Sequence, residues 1–165
     1  MKFSNLIKSI ATTVAIGALT MGLAPTSFAA TATANMSVNA TVNANCIIST
    51  NALAFAAYTG AVDNATTTIS VTCTNTTPYN VGLDQGKTSG ATVLTRQMLN
   101  GAATLNYALF SNSGMTTNWG NSTGSWVGGT GSGAAQTLTV YGQIAANQYV
   151  TPGSYTDTII ATVNY

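Results

Sequence analysis

Residues 31–46 read T-A-T-A-N-M-S-V-N-A-T-V-N-A-N-C. Every even-numbered position is small or apolar, and every odd-numbered position is Thr, Asn or Ser. Because successive side chains of a β-strand point to opposite faces, this alternation over sixteen residues predicts a strand with one apolar face. Typical strands have about 5–6 residues. We therefore expect a free extension that then becomes the first strand of a domain; one long edge strand or hairpin is the alternative.

The same alternation recurs downstream and predicts strands over residues 65–74, 79–83, 105–109, 136–144 and 155–165. Turn-forming residues separate these segments, among them Asn100-Gly101 and Thr151-Pro152-Gly153. The glycine-rich stretch 128–133 lacks the lysine of a phosphate-binding loop and predicts a connection between strands. No segment after residue 30 shows helical periodicity. The pattern indicates an all-β sandwich or barrel.

The first residues have the organisation of a secretory signal peptide. Lys2 and Lys8 precede an uncharged run over residues 10–23, Pro25 ends it, and Ser27-Phe28-Ala29 supplies small residues for cleavage. We therefore predict a signal peptide over residues 1–29, cleaved after Ala29. A transmembrane helix is the alternative, but the run is shorter than the roughly 20 residues needed to span a bilayer.

Charged residues are scarce, at 4% of the chain with no His, against about 25% in typical proteins. Without clustered Lys and Arg we expect no nucleic-acid partner. Without His or Glu we expect no enzyme, no catalytic residue, no cofactor and no metal site. Beyond residue 29, two positive side chains stand against three negative ones, a net charge of −1. Such a surface suits a protein that packs against copies of itself.

Two further features concern cysteine and tryptophan. Export implies an oxidising compartment, so Cys46 and Cys73, the only two cysteines, are predicted to form a disulfide. Trp119 and Trp126 are expected to be anchors in a core or interface; a surface that stacks against sugars is the alternative.

Several motifs in order resemble the spore coat protein U domain. They are Arg96-Gln97-Met98, Leu105–Phe110, Trp119-Gly120, Val140–Ile144, Pro152–Thr158 and Ala161–Tyr165. The resemblance covers nearly the whole chain after the signal peptide. This family is similar to the pilin subunits of archaic chaperone–usher pili. It implies an all-β, immunoglobulin-like β-sandwich that lacks its last strand and is completed by a donated N-terminal strand.

The resemblance also implies roles for particular segments. Residues 30–45 would be the donor-strand extension and residues 46–165 the pilin domain. Side chains expected to enter the groove of another subunit are Ala32, Ala34, Met36, Val38, Ala40, Val42 and Ala44. The strand expected to border the groove and pair with a chaperone carries Ile159, Ala161, Val163 and Tyr165, at what we take to be the end of the chain.

The implied function is that of a structural subunit of a surface fimbria, with roles in adhesion and biofilm formation. Its expected partners are identical or related pilin subunits, a periplasmic chaperone and an outer-membrane usher, and its route is export through the periplasm to the cell surface. Two alternatives remain open at this point. One is a carbohydrate- or surface-binding adhesin module, and the other is a secreted coat protein whose extension folds back into its own domain.

Overall fold

The computed structural model describes residues 28–165. The predicted signal peptide therefore lies outside the described residues, apart from Phe28 and Ala29, which are exposed. Residues 28–39 belong to a unit separate from the one that begins at Ala40. All side chains from residue 28 to residue 45 are exposed, and this segment contains no strand.

Eight strands make up the domain, and no helix occurs within residues 28–165. In chain order they are β1 (Cys46–Thr50), β2 (Asp63–Cys73), β3 (Pro78–Leu83), β4 (Arg96–Asn100), β5 (Ala103–Phe110), β6 (Val127–Thr130), β7 (Gln136–Ile144) and β8 (Ala161–Asn164). They form two antiparallel sheets, a five-stranded one in the order β1-β2-β7-β5-β4 and a three-stranded one in the order β6-β3-β8. The fold is an all-β sandwich, as the alternation predicts.

The core lies between the two sheets and uses every second residue of the strands. On β2, Ile69, Val71 and Cys73 are buried while the residues between them are partly exposed. The buried apolar set is Cys46, Ile69, Val71, Cys73, Tyr79, Val81, Leu83, Leu105, Tyr107, Leu109, Trp119, Val140 and Ile144. Apolar area removed from water in this way is the main term that favours folding.

The predicted disulfide is confirmed. Cys46 opens β1 directly opposite Cys73 at the end of β2, with 4.1 Å between their Cα atoms. Both cysteines are buried because they lie on the inner faces of their strands. The bond therefore joins the edge strand β1 to its neighbour at the point where the chain enters the domain.

In this single chain residues 31–45 form no strand, and β1 begins at Cys46. An alternating sequence forms a strand only where a neighbouring strand supplies backbone hydrogen bonds. Residues 31–45 have no such neighbour among the described residues, and the strand begins where the ladder with β2 begins.

The last predicted strand is shorter than the alternation suggests. Alternate side chains are half-buried from Tyr155 to Val163, but β8 covers only Ala161–Asn164. The preceding residues pass from one sheet to the other. Thr156 pairs with Leu99 of β4, and Ala161 then pairs with Leu83 of β3.

The glycine-rich stretch is only partly the predicted loop, because residues 128–130 belong to β6 and pair with β3. Pairing uses backbone groups, which glycine has. Position 129 requires glycine, because a Cβ there would lie 2.5 Å from the ring of Tyr79.

Candidate binding groove

An open groove of ≈ 510 Å³ lies on the side of the sandwich where β1 and β8 are neighbours. Its floor consists of core side chains: Ile69, Leu83, Tyr107, Leu109 and Val140. β1 and β8 are each the edge of a sheet, with a partner on one side only. The groove therefore combines an apolar floor with two strand edges whose outer backbone groups are free to pair.

The first wall is the chain that follows β1. Leu53 and Phe55 point inward and pack on the core, while Ala52 and Ala54 are exposed. Within the described residues, the backbone of residues 52–59 takes part in no hydrogen bond. This segment has the alternation of a strand and no strand beside it.

Two contacts hold this first wall in place. Gly142 of β7 lacks a side chain where a Cβ would lie 2.6 Å from Leu53 and 2.9 Å from Phe55, so both apolar side chains can reach the sheet. At the far end of the wall, the Tyr58 hydroxyl donates to the carbonyl of Ala145 at 2.6 Å and accepts from the amide of Gln148 at 3.1 Å.

The second wall comprises residues 155–161 and continues into β8. Ile159, Ala161 and Val163 are half-buried and pack against the core, whereas the residues between them are exposed. A second cavity of ≈ 900 Å³ shares Leu53, Phe55, Met98 and Tyr155 with the groove. The groove therefore continues into a second cavity that extends toward the loop around Tyr149.

Arg96 occupies the interior beside the groove and is fully buried. Its guanidinium donates to four backbone carbonyls, those of Asp84, Val93, Leu83 and Trp119, at 2.8, 2.7, 3.0 and 2.6 Å. A buried charge is tolerated only when its donors are satisfied. Arg96 thus ties the end of β3, the connection that follows it and the Trp119 segment together.

Two carboxylates complete this polar cluster. Asp157 accepts from the Tyr107 hydroxyl at 2.7 Å, and Asp84 accepts from the amide of Ile160 at 2.9 Å. Burial lowers the pKa of the Arg96 guanidinium against the attraction of the nearby acidic groups. Burial, reinforced by the hydrogen bond to Asp157, raises the pKa of the Tyr107 phenol well above its usual range.

The residues expected to donate a strand are all exposed, and the large apolar ones, Met36, Val38 and Val42, are exposed by 84, 81 and 83%. Of the four residues expected to border the groove, Ile159 and Ala161 line it and Val163 continues the same inward face. Tyr165 is 59% exposed and does not share that burial.

Sequence reasoning missed the first wall and the polar cluster. The alternation of A-L-A-F-A over residues 52–56 is a signal that could have revealed the wall. The cluster has no comparable signal, because Asp84, Arg96 and Asp157 are far apart in sequence and only the crossing chain brings them together.

The structure also bears on the alternatives. Trp119 is buried, and its indole N–H donates to the carbonyl of Val81 at 2.8 Å, so it is a core anchor and cannot stack on a sugar beside Trp126.

Residues 28–165 contain no group of three or more His, Cys, Asp or Glu side chains arranged to hold a metal ion. Across that same range no helix is long and apolar enough to cross a membrane.

The described domain is a two-sheet antiparallel sandwich with an open apolar groove beside two strand edges. The family model of the Spore Coat Protein U domain matches residues 32–162, and the chain belongs to this family. Protein U of Myxococcus xanthus is 34% identical to it, over 98% of this chain and 99% of that protein.

A solved structure has a similar fold. It is a chain of the CsuC–CsuE chaperone–tip adhesion subunit pre-assembly complex from the archaic chaperone–usher Csu pili of Acinetobacter baumannii. The TM-score is 0.58 at 22% identity, with 76% of this chain and 41% of that chain covered. The present chain therefore spans less than half of the length of that matched chain.

Proposed function

We propose that this protein is a structural subunit of a surface pilus built by donor-strand exchange. The observation that carries the proposal is that one chain contains two complementary features. The groove offers an apolar floor between unpaired edges, and residues 31–45 offer an unpaired, alternating segment with exposed apolar side chains. Strand addition of this kind supplies backbone hydrogen bonds to the edges and side chains to the floor.

In this proposal residues 1–29 are removed after Ala29, residues 30–45 are the donor segment, and residues 46–165 are the receiving domain. A periplasmic chaperone covers the groove first, and an outer-membrane usher then guides replacement by the extension of another pilin subunit. The similarity to a chain of a chaperone–subunit complex supports a chaperone and a pilin subunit as partners. The finished fibre lies on the cell surface, where it serves adhesion and biofilm formation, and the subunit has a structural rather than a catalytic role.

The test uses two neighbouring positions of the extension. Val38 has the inward parity and Asn39 the outward parity, because strand side chains alternate. Val38→Asp would bury an unpaired charge in the partner's groove, which costs on the order of several kcal/mol, so we expect polymers to be lost while the chaperone-bound subunit stays folded. Asn39→Asp is the matched control and should assemble normally. The readout is the SDS-resistant, heat-labile ladder of surface material.

Two outcomes would contradict the proposal in different ways. If both variants assemble like the wild type, residues 31–45 are not the donated strand. If Val38→Asp instead unfolds the isolated subunit, the extension completes its own domain, and the protein is a self-complete secreted coat protein.

A further inference from the structure

We propose that Asp157 is a positioning residue for strand uptake, because its carboxylate holds residues 155–160 across the gap between the two sheets and so keeps the groove open before a strand arrives. This inference rests on the proposed function, since it concerns the same groove. The rate at which the groove takes up a strand would then depend on the Asp157 side chain, which lies outside the apolar floor.

The segment that Asp157 holds cannot rely on a strand ladder of its own. Thr156 is tied to Leu99 of β4 by two backbone hydrogen bonds of 2.8 and 3.0 Å, and the next ladder begins only at Ala161. The four residues between these points leave one sheet and join the other. Side-chain acceptors must therefore bind the backbone amides of this crossing.

Asp157 meets that need from three directions. One carboxylate oxygen accepts from the amide of Thr158 at 2.7 Å and from the amide of Lys87 at 2.9 Å. The other accepts from the Tyr107 hydroxyl at 2.7 Å. One side chain thus joins the crossing segment, the connection after β3 and the floor of the groove through short, charge-assisted bonds.

Asp84 holds the far end of the crossing. Its carboxylate accepts from the amide of Ile160 at 2.9 Å, its own amide donates to the carbonyl of Ile160 at 3.1 Å, and Arg96 holds its carbonyl at 2.8 Å. With that end fixed through the core, Asp157 is the link between the start of the crossing and the floor. Asp157, Thr158 and Ile159 all line the groove, so a crossing released from Tyr107 can move Ile159 into it.

A groove that is open for only a fraction of the time captures a strand more slowly by that fraction. Loss of the Asp157 link should therefore slow association far more than it speeds dissociation, because a strand already seated holds the crossing apart itself. A side chain that contributes only to general stability would not slow association while leaving dissociation nearly unchanged.

The experiment measures capture of a fluorescein-labelled peptide of residues 31–45 by the full exported chain, using stopped-flow anisotropy. Asp157→Ala removes all three hydrogen bonds and should slow association about tenfold, with dissociation changed less than about twofold. Asp157→Asn keeps an oxygen for the two amides and an amide group for Tyr107, so it should restore a rate close to the wild type. Thr130→Ala, at an exposed position of β6 that does not line the groove, is the matched control and should leave both rates unchanged.

Tyr107→Phe provides a second variant in case Asp157→Ala does not fold. It removes only the link to the floor and keeps the ring that packs against Phe55, with 6.2 Å between ring centroids. We expect association slowed by about threefold, together with faster hydrogen exchange at the amide of Lys87 and unchanged exchange at Val71 in the core.

The outcomes separate the two proposals. If the wild type and Thr130→Ala capture the peptide and the Asp157 and Tyr107 variants do so at the same rate, the positioning role is overturned while strand uptake stands. The role is likewise overturned if these variants speed dissociation as much as they slow association. If the wild type captures no peptide, the groove does not accept residues 31–45, and both proposals are overturned.

Discussion

Tyr107 shows how one residue can serve both the core and the groove. Its ring belongs to the buried set, and its hydroxyl donates to Asp157 on the second wall of the groove. A phenol in this position keeps its proton more firmly than an unfolded one does, since burial and the neighbouring carboxylate both disfavour the anion. Through this residue, the free energy of unfolding depends on pH in the alkaline range.

The sign of this linkage follows from the raised pKa of Tyr107. Below pH about 10, the usual tyrosine value, both states hold the proton and its contribution is complete. Above that pH the unfolded chain releases a proton that the folded domain retains, so the free energy of unfolding should fall by about 1 kcal/mol between pH 10 and 11. Urea unfolding at these pH values measures this loss. Tyr107→Phe should flatten the dependence, and Tyr149→Phe, at an exposed position, should not. An equal slope in all three proteins would contradict the assignment.

At the scale of the elements, β8 is a short strand with two duties. Its four residues close the smaller sheet against β3, and its outer edge borders the groove. Val163 lies opposite Val81, a fully buried core residue. Loss of this strand would therefore expose the core and remove a wall of the groove together.

Deletion of residues 163–165 should accordingly abolish secretion of the subunit. A chaperone that pairs with this edge would have no strand to bind, and Val81 would lose its partner. Immunoblots of surface and periplasmic fractions measure the outcome, with Asn164→Ser, at an exposed position of β8, as the control that should be exported normally. Normal fibres built from the truncated chain would show that another segment borders the groove.

The sequence predicts well those elements whose two faces differ. Residues 136–144 alternate and form β7 with the same bounds, and the facing cysteines follow from export alone. The prediction fails where pairing depends on the rest of the fold. Residues 31–45 alternate but pair with no strand among the described residues, and Gly128 and Gly129, expected in a loop, pair with Asn80 and Tyr79 of β3. Local alternation predicts the second wall and carries a signal for the first wall that the sequence analysis did not use, whereas the Arg96 cluster arises from distant segments and cannot be inferred from local sequence.

At the scale of the whole molecule, the disulfide matters most through the unfolded chain. It closes a loop between residues 27 positions apart, and closing such a loop removes conformations that only the unfolded state could adopt. Because it also fixes β1, an edge strand with one partner, it secures the entry to the domain beside the groove.

Replacing both cysteines by serine should lower the free energy of unfolding by about 3.5 kcal/mol in the chain-entropy model. Urea unfolding of the chaperone-free chain measures the change, and the wild type treated with a reductant should match the double variant. A loss below about 1 kcal/mol would show that the bond does not constrain the unfolded chain as expected.

Burial of Arg96 has a consequence for digestion. Arg96 is the only arginine in the chain, and beyond the predicted signal peptide Lys87 is the only lysine. Trypsin-like proteases cut after these two residue types, and only Lys87 has an exposed side chain. The folded domain therefore presents a single cleavable bond to such enzymes, so the arginine that ties the interior together also removes a cutting site from the surface.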